Sequence, residues 1–382
     1  MVLPALVFLA LVAFAAALLW SPQAGRAAAL HLILAVGAMP LIFGAMSHFI
    51  PVLTRSRGAP AGLVSIPVVA LAGGALVVGS LSLPELFMGR HAGAILAAAA
   101  ASSLLVWSRR RRAAMLGRPH PCLAWYEWAL ACLVLALFAI LASAIWPQQT
   151  IALHRLHLHL NTLGFVGLTA VSTLAVLLPT VTGKPDPQVG PRLRRDLPWA
   201  VGGTLLVAIG AAWFGPLAWI GGVLWAVPLV RLGASWLRLF RAEIFALHGA
   251  APLLAAALAG LALSMVFGAV SPMAAAAGGL SPIEPALAFV SGFMLPLVSG
   301  AASQLLPVWL RPGVQSDWHA KLRDSLGRYG GVRAVLFVLG GIAAGTGQPW
   351  GLLLGAATLI WFLLQAAVAL LQSSLFQERE SS

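Results

Sequence analysis

Acidic charge is what this chain has least of. Its 382 residues include ten Asp and Glu against 23 Lys and Arg, and the four types together make up only 9% of the sequence. A globular domain carries about a quarter charged residues. A chain this poor in charge, 60% hydrophobic and with a mean hydropathy of +0.95, cannot be a soluble globular domain and reads as a polytopic membrane protein. Cysteine is almost missing as well. Cys122 and Cys132 provide neither a disulfide framework nor a thiolate metal cluster, and they leave the redox compartment unread. Tyrosine is limited to Tyr126 and Tyr329.

Apolar runs, by contrast, are plentiful. About 20 apolar residues span a bilayer, and segments of that kind fall near 2–20, 28–53, 60–82, 91–108, 123–146 and 153–181. Six more lie near 197–214, 216–236, 244–269, 284–309, 331–346 and 350–374. The expected fold is therefore all-α, twelve transmembrane helices forming a single transmembrane domain over 1–382. Residues 2–20 have no basic stretch before them, so they read as the first helix rather than a secretory signal. Trp20, Trp107, Trp146, Trp309 and Trp350 fall at predicted helix ends, where indole rings anchor at the headgroup boundary.

The basic residues are distributed by loop. With a cytoplasmic N-terminus, the even-numbered loops and the C-terminus hold 20 of the 23 Lys and Arg, and the odd loops hold only Arg26, Arg90 and Arg155. This split places both termini in the cytoplasm of a bacterial inner membrane. It also makes the net charge of +13 topological, so the expected surroundings are a lipid bilayer and not nucleic acid.

The chain also repeats. Apolar runs close on Pro51, Pro179 and Pro307, each followed by a basic or Gly-containing loop, and the spacing is 128 residues both times. That period points to three four-helix units, about 1–119, 120–241 and 242–382. Counting back twenty residues from each proline gives His31, His159 and Leu287. His31 and His159 thus share a slot at one depth and are expected to face each other. His154 and His157 lie on one face of the sixth helix, with His159 about 200° around from His157. Ionisable side chains within a span are costly and mark function by default. Neutral imidazole ligates metals and haem iron. His31, His154, His157 and His159 are therefore the candidate metal ligands.

HLILAVGAMPLIFGAMSHFIPVLTRSRG, from His31, resembles the second helix of haem-copper oxidase subunit I. That helix opens on a haem histidine and continues through a proline, a glycine four residues on and a closing proline, the order of Pro40, Gly44 and Pro51. HLHLNTLGFVGLTAVSTLAVLLPTVTG, from His157, resembles the HxH segment of the NnrS family of haem- and copper-containing membrane proteins linked to nitric oxide metabolism. The oxidase subunit likewise has twelve helices in a pseudo-threefold arrangement. The resemblance implies haem b, with His31 and either His157 or His159 as axial ligands, copper as a second cofactor, and an electron-donor protein or partner subunit. The pair expected from the shared slot is His31 with His159. Helix 7 has no histidine and both tyrosines lie toward the cytoplasm, so a conventional oxygen-reducing binuclear centre is not expected.

Two other classes stay open: a histidine-based copper-handling protein or metal transporter without haem, and a proton-coupled carrier whose histidines titrate near neutrality. A threefold repeat favours the haem reading, since carriers more often show twofold repeats. His91 at the start of helix 4, His48 and His248 near cytoplasmic helix ends, and Glu127, Glu243 and Glu284 read as groups at the water boundary. His120 and His319 fall in basic loops and are expected to be solvated.

Overall fold

Hydrocarbon offers the backbone no hydrogen-bond partners, so a chain of this composition must satisfy its peptide groups within helices. The computed structural model describes residues 2–276 and 283–381, and all regular structure among them is helical. The long helices are α1 (Val2–Ala24), α2 (Arg26–Leu53), α3 (Ala61–Ser82), α4 (Gly89–Ala113), α5 (Cys122–Ala142), α6 (Pro147–Thr182), α7 (Val189–Ala212), α8 (Gly215–Leu239), α9 (Ala251–Ala276), α10 (Pro285–Leu310), α11 (Gly330–Gly345) and α12 (Trp350–Ser381). Eleven helical spans among the described residues are long and apolar enough to cross a membrane. The protein is polytopic.

The long helix outside that set is α7. The sequence places it at 197–214, whereas it starts at Val189 inside the basic stretch and carries Arg192, Arg194, Arg195 and Asp196. Ion pairing makes this possible. Arg192 donates to Asp186 at 2.9 Å and to the Ser235 hydroxyl at 2.7 Å, and Arg231 of α8 donates to Asp196 at 2.8 Å. Each buried charge thus gains an opposite charge and a hydrogen bond. Two other boundaries move. A short helix, Arg241–Ile244, and a loop over 245–250 precede α9, and the stretch before α11 contains an amphipathic helix, Asp317–Gly327.

The middle of α2, α6 and α10 departs from α-helical geometry. Each contains a π-helical stretch, at Leu32–Ala38, Leu160–Gly167 and Phe289–Met294. Proline explains two of the three. Pro40 and Pro296 have no N–H to give the carbonyls of Val36 and Gly292, which loosens the preceding turn. Neighbouring glycines close in on that loosened backbone. A Cβ on Gly74 would collide with the Ala35 carbonyl, and one on Gly260 with the Gly292 carbonyl.

The helices close into a ring. α12 packs on α1, α4 on α5 and α8 on α9, while α2, α6 and α10 pack inward against α5, α9 and α1 respectively. The antiparallel pairs α3/α4, α7/α8 and α11/α12 approach through Gly73 and Gly93, Gly203 and Gly221, and Gly340 and Gly351. Small residues let backbones meet where lipid gives no hydrophobic drive to association.

Because Gly260 touches backbone, Gly260→Val should destabilise the fold by about 1–3 kcal/mol through overpacking. Gly222, where an added methyl would meet no atom within 4 Å, is the control. Thermal melts of Gly260→Val and Gly222→Val in detergent should show a lower midpoint for Gly260→Val only, and equal midpoints would contradict this packing.

Candidate histidine site

His31 ends the first turns of α2, and His157 lies in the second turn of α6 beyond Thr150. Each ring is fixed by a backbone carbonyl. His31 Nδ1 donates to Ala27 O at 2.8 Å, four residues back on its own helix. His157 Nδ1 donates to Ala136 O of α5, also at 2.8 Å. A carbonyl can only accept, so in the neutral ring Nδ1 carries the hydrogen and Nε2 keeps its lone pair. That is how a metal-binding histidine is held, with the second nitrogen oriented by a partner outside the site.

The two rings lie side by side. Their centroids are 6.3 Å apart and their planes 15° from parallel. Asn161, one turn below His157, donates to the His157 carbonyl at 2.9 Å. Its amide nitrogen is 3.4 Å from both ring nitrogens, which places it against the ring rather than in line with either lone pair. His154 is close enough to interact electrostatically with both rings and is itself exposed.

His31 therefore meets His157, and the slot-sharing His159 points elsewhere. His159 Nδ1 donates to Arg155 O at 2.8 Å, so it too leaves Nε2 bare. Its attachment copies that of His31, each to the residue four back, and Ala27 and Arg155 are themselves 128 apart. Among the described residues no group of three or more His, Cys, Asp or Glu side chains comes together as a metal cage.

The other polar groups mostly have structural partners. Arg26 and Glu284 pair at 2.6 Å across α2 and the start of α10. Arg112 and Ser108 hold Glu127 at 2.9 and 3.2 Å, and Lys184 pairs with Glu243. His248 accepts the Tyr329 N–H at 3.0 Å, while His48 packs edge-on against Trp309. His120 accepts the Cys122 N–H at 3.3 Å, and burial together with the Arg194 charge holds it below the usual imidazole range. His319 is not solvated as its basic loop suggests. It is buried, bonded to Ser316 and to Arg311 O at 2.8 Å, and completes a capping box on Asp317–Gly327. His91 keeps a buried Nδ1 without a partner.

Sequence reasoning cannot find the Ala136 carbonyl, because every residue supplies one and nothing in the side chain marks it. No family model matches the chain, and no curated protein is similar enough to count as a relative.

In metal-free protein the three rings should all be Nδ1–H tautomers. Nitrogen-15 spectra of histidine-labelled protein, assigned with single His→Gln variants, should show bare Nε2 signals for His31, His157 and His159. An Nε2–H signal from His157 would contradict the bond to Ala136.

Proposed function

We propose that this is an integral membrane haem b protein related to the haem-copper oxidase superfamily and most like NnrS. In this reading His31 and His157 hold the haem, and the protein works in electron transfer or in the handling of a diatomic gas such as nitric oxide. One observation supports the pair above all: two lone-pair nitrogens, each on a carbonyl-anchored ring, with centroids 6.3 Å apart. Metal–imidazole bonds of about 2.0–2.1 Å on opposite sides of one ion separate the ring centres by about 6 Å. Two neutral imidazoles with free Nε2 atoms, this close together, suit one shared metal centre. Bound there, haem would supply a one-electron couple.

The chain's residues do the positioning. Ala27 O and Ala136 O fix the tautomers, and Asn161 braces the His157 ring. The same donor pair supports a second reading, copper(I) held by the two nitrogens without haem, since imidazole suits copper as well.

We further infer a threefold repeat of four-helix units, twelve spans, and a bacterial inner-membrane location with both termini cytoplasmic. Supporting this are the π-helical stretches starting at 32, 160 and 289, the matched His31 and His159 anchors, and the contact of Cys132 with Gly164, repeated by Gly260 with Gly292. Reporter fusions after Leu116 and Pro187 should both read cytoplasmic. A periplasmic signal from either would break the topology and the repeat together.

The cofactor is tested by a reduced-minus-oxidised spectrum of protein purified from haem-supplied cells, with haem and copper quantified. Wild type should show b-type bands, His31→Ala and His157→Ala should each lose most of the haem, and His159→Ala should keep it. Copper without haem would select the second reading. Haem retained in both His31→Ala and His157→Ala would refute the ligand pair.

A further inference from the structure

In the 128-residue register, the His31–His157 pair has a counterpart in the third unit. Position 31 maps to Leu287 on α10, and position 157 maps back to Ala29 on α2. Leu287 and Ala29 both line one cavity of about 430 Å³, bordered by α1, α2, α10, the end of α11 and the start of α12. The cavity thus occupies the place that the imidazoles fill in the first unit, with aliphatic groups in their stead. Its walls are otherwise apolar, including Leu18, Leu30, Ile33 and Leu352, and its polar groups are the Arg26–Glu284 ion pair and the Gln348 amide. That volume and that lining, apolar with a few polar groups, are those of a small-molecule site.

A second haem does not fit there. No lining residue is His, Met, Cys or Tyr, so an iron would have no axial ligand. A fatty acid fits poorly, because its carboxylate would meet Glu284, whose side chain is only 12% exposed and already takes the guanidinium. A head that both donates and accepts suits the polar groups better. A ring hydroxyl can donate to the Glu284 carboxylate, and a ring oxygen can accept from Arg26 or Gln348. The apolar walls take the ring face and the start of a hydrocarbon tail.

We propose that this cavity binds a lipid-soluble quinol. Binding stands on the cavity alone; its role as electron donor rests on the function proposed above. Arg26, Ala29 and Leu30 face the cavity, and His31 lies roughly 150° around α2 from their mean direction at ~100° per residue. One helix, about 10 Å across, therefore separates the quinol from the histidine pair. Oxidation breaks both O–H bonds of the quinol and yields the quinone, two protons and two electrons. Glu284 is placed to accept one proton from the hydroxyl that faces it, with the Arg26 guanidinium stabilising its carboxylate, and the other proton goes to water. In that role one quinol would reduce two equivalents of the ferric haem that His31 and His157 would hold, one electron to each.

The test uses a short-chain benzoquinone and its quinol with the full-length protein in detergent. Binding is measured by equilibrium dialysis, which needs no haem. Wild type should bind one quinone per chain. Leu352→Trp, which fills the cavity from α12, and Ala29→Phe, which fills it from α2, should each weaken binding at least tenfold, and Glu284→Gln should weaken quinol more than quinone. Haem reduction by the quinol should slow at least tenfold in Leu352→Trp, while dithionite still reduces the haem fully. No binding by wild type, or binding unchanged in both filled variants, would overturn the proposal. So would a tightly held phospholipid that copurifies and blocks quinone. Binding in a protein that proves free of haem would leave the site standing and remove only its role as donor.

Discussion

A neutral imidazole in hydrocarbon has one N–H to satisfy and one lone pair to leave or to use, and the centre of this protein is organised by that constraint. His31, His157 and His159 each give Nδ1–H to a main-chain carbonyl at 2.8 Å. An unmet N–H there would cost about a kilocalorie per mole or more, so each bond also fixes the ring's rotation and decides which nitrogen faces inward. The π-helical stretches begin immediately after His31 and His159. A widened turn at that point changes the phase of every side chain below it without breaking the helix. The histidines are thereby set by the regular turns above, and the packing below is left free to follow the glycine contacts.

Scarce acid is the second constraint. Among the described residues Glu127, Asp186, Asp196, Glu243 and Glu284 each act as partner of a basic residue. The pair around Asp196 lets the charged start of α7 pack against α8, where an uncompensated buried charge would cost several kcal/mol. Arg333 shows the other solution. Fully buried, it gives one N–H to Leu326 O at 2.6 Å and lies 4.6 Å from the ring centre of Phe362, so a carbonyl dipole and an aromatic face take the place of an anion.

Much of this is legible in the sequence, because hydropathy and the proline period are one-dimensional signals. The spans ending near Pro51, Pro179 and Pro307 lie within α2, α6 and α10 as read. The failures share a cause: they depend on which neighbour a side chain meets. The start of α7 is invisible because Asp186 and Ser235 supply its compensation from a distance. His319 looks solvated because only the fold shows that Ser316 and Arg311 O enclose it. Spacing along α6 gives the angle between His157 and His159 but not which of them turns toward α2. That choice is made by the Ala136 carbonyl on α5, and a carbonyl leaves no trace in sequence.

On the threefold reading the three interfaces between inner helices have diverged at the same two positions. The first holds His31 and His157, the second pairs the slots of His159 and Pro285, and the third those of Leu287 and Ala29. Two imidazoles can share one metal, a single imidazole cannot complete an axial pair, and two aliphatic groups can only bound a space. Residue identity at one pair of slots therefore accounts for why one interface brings two imidazole rings to 6.3 Å while another encloses an apolar cavity. Side chains that face the interior between repeat units can vary without altering the contacts that close the ring. On that reading the difference between these interfaces is concentrated in those slots, while the closing prolines Pro51, Pro179 and Pro307 are held in common.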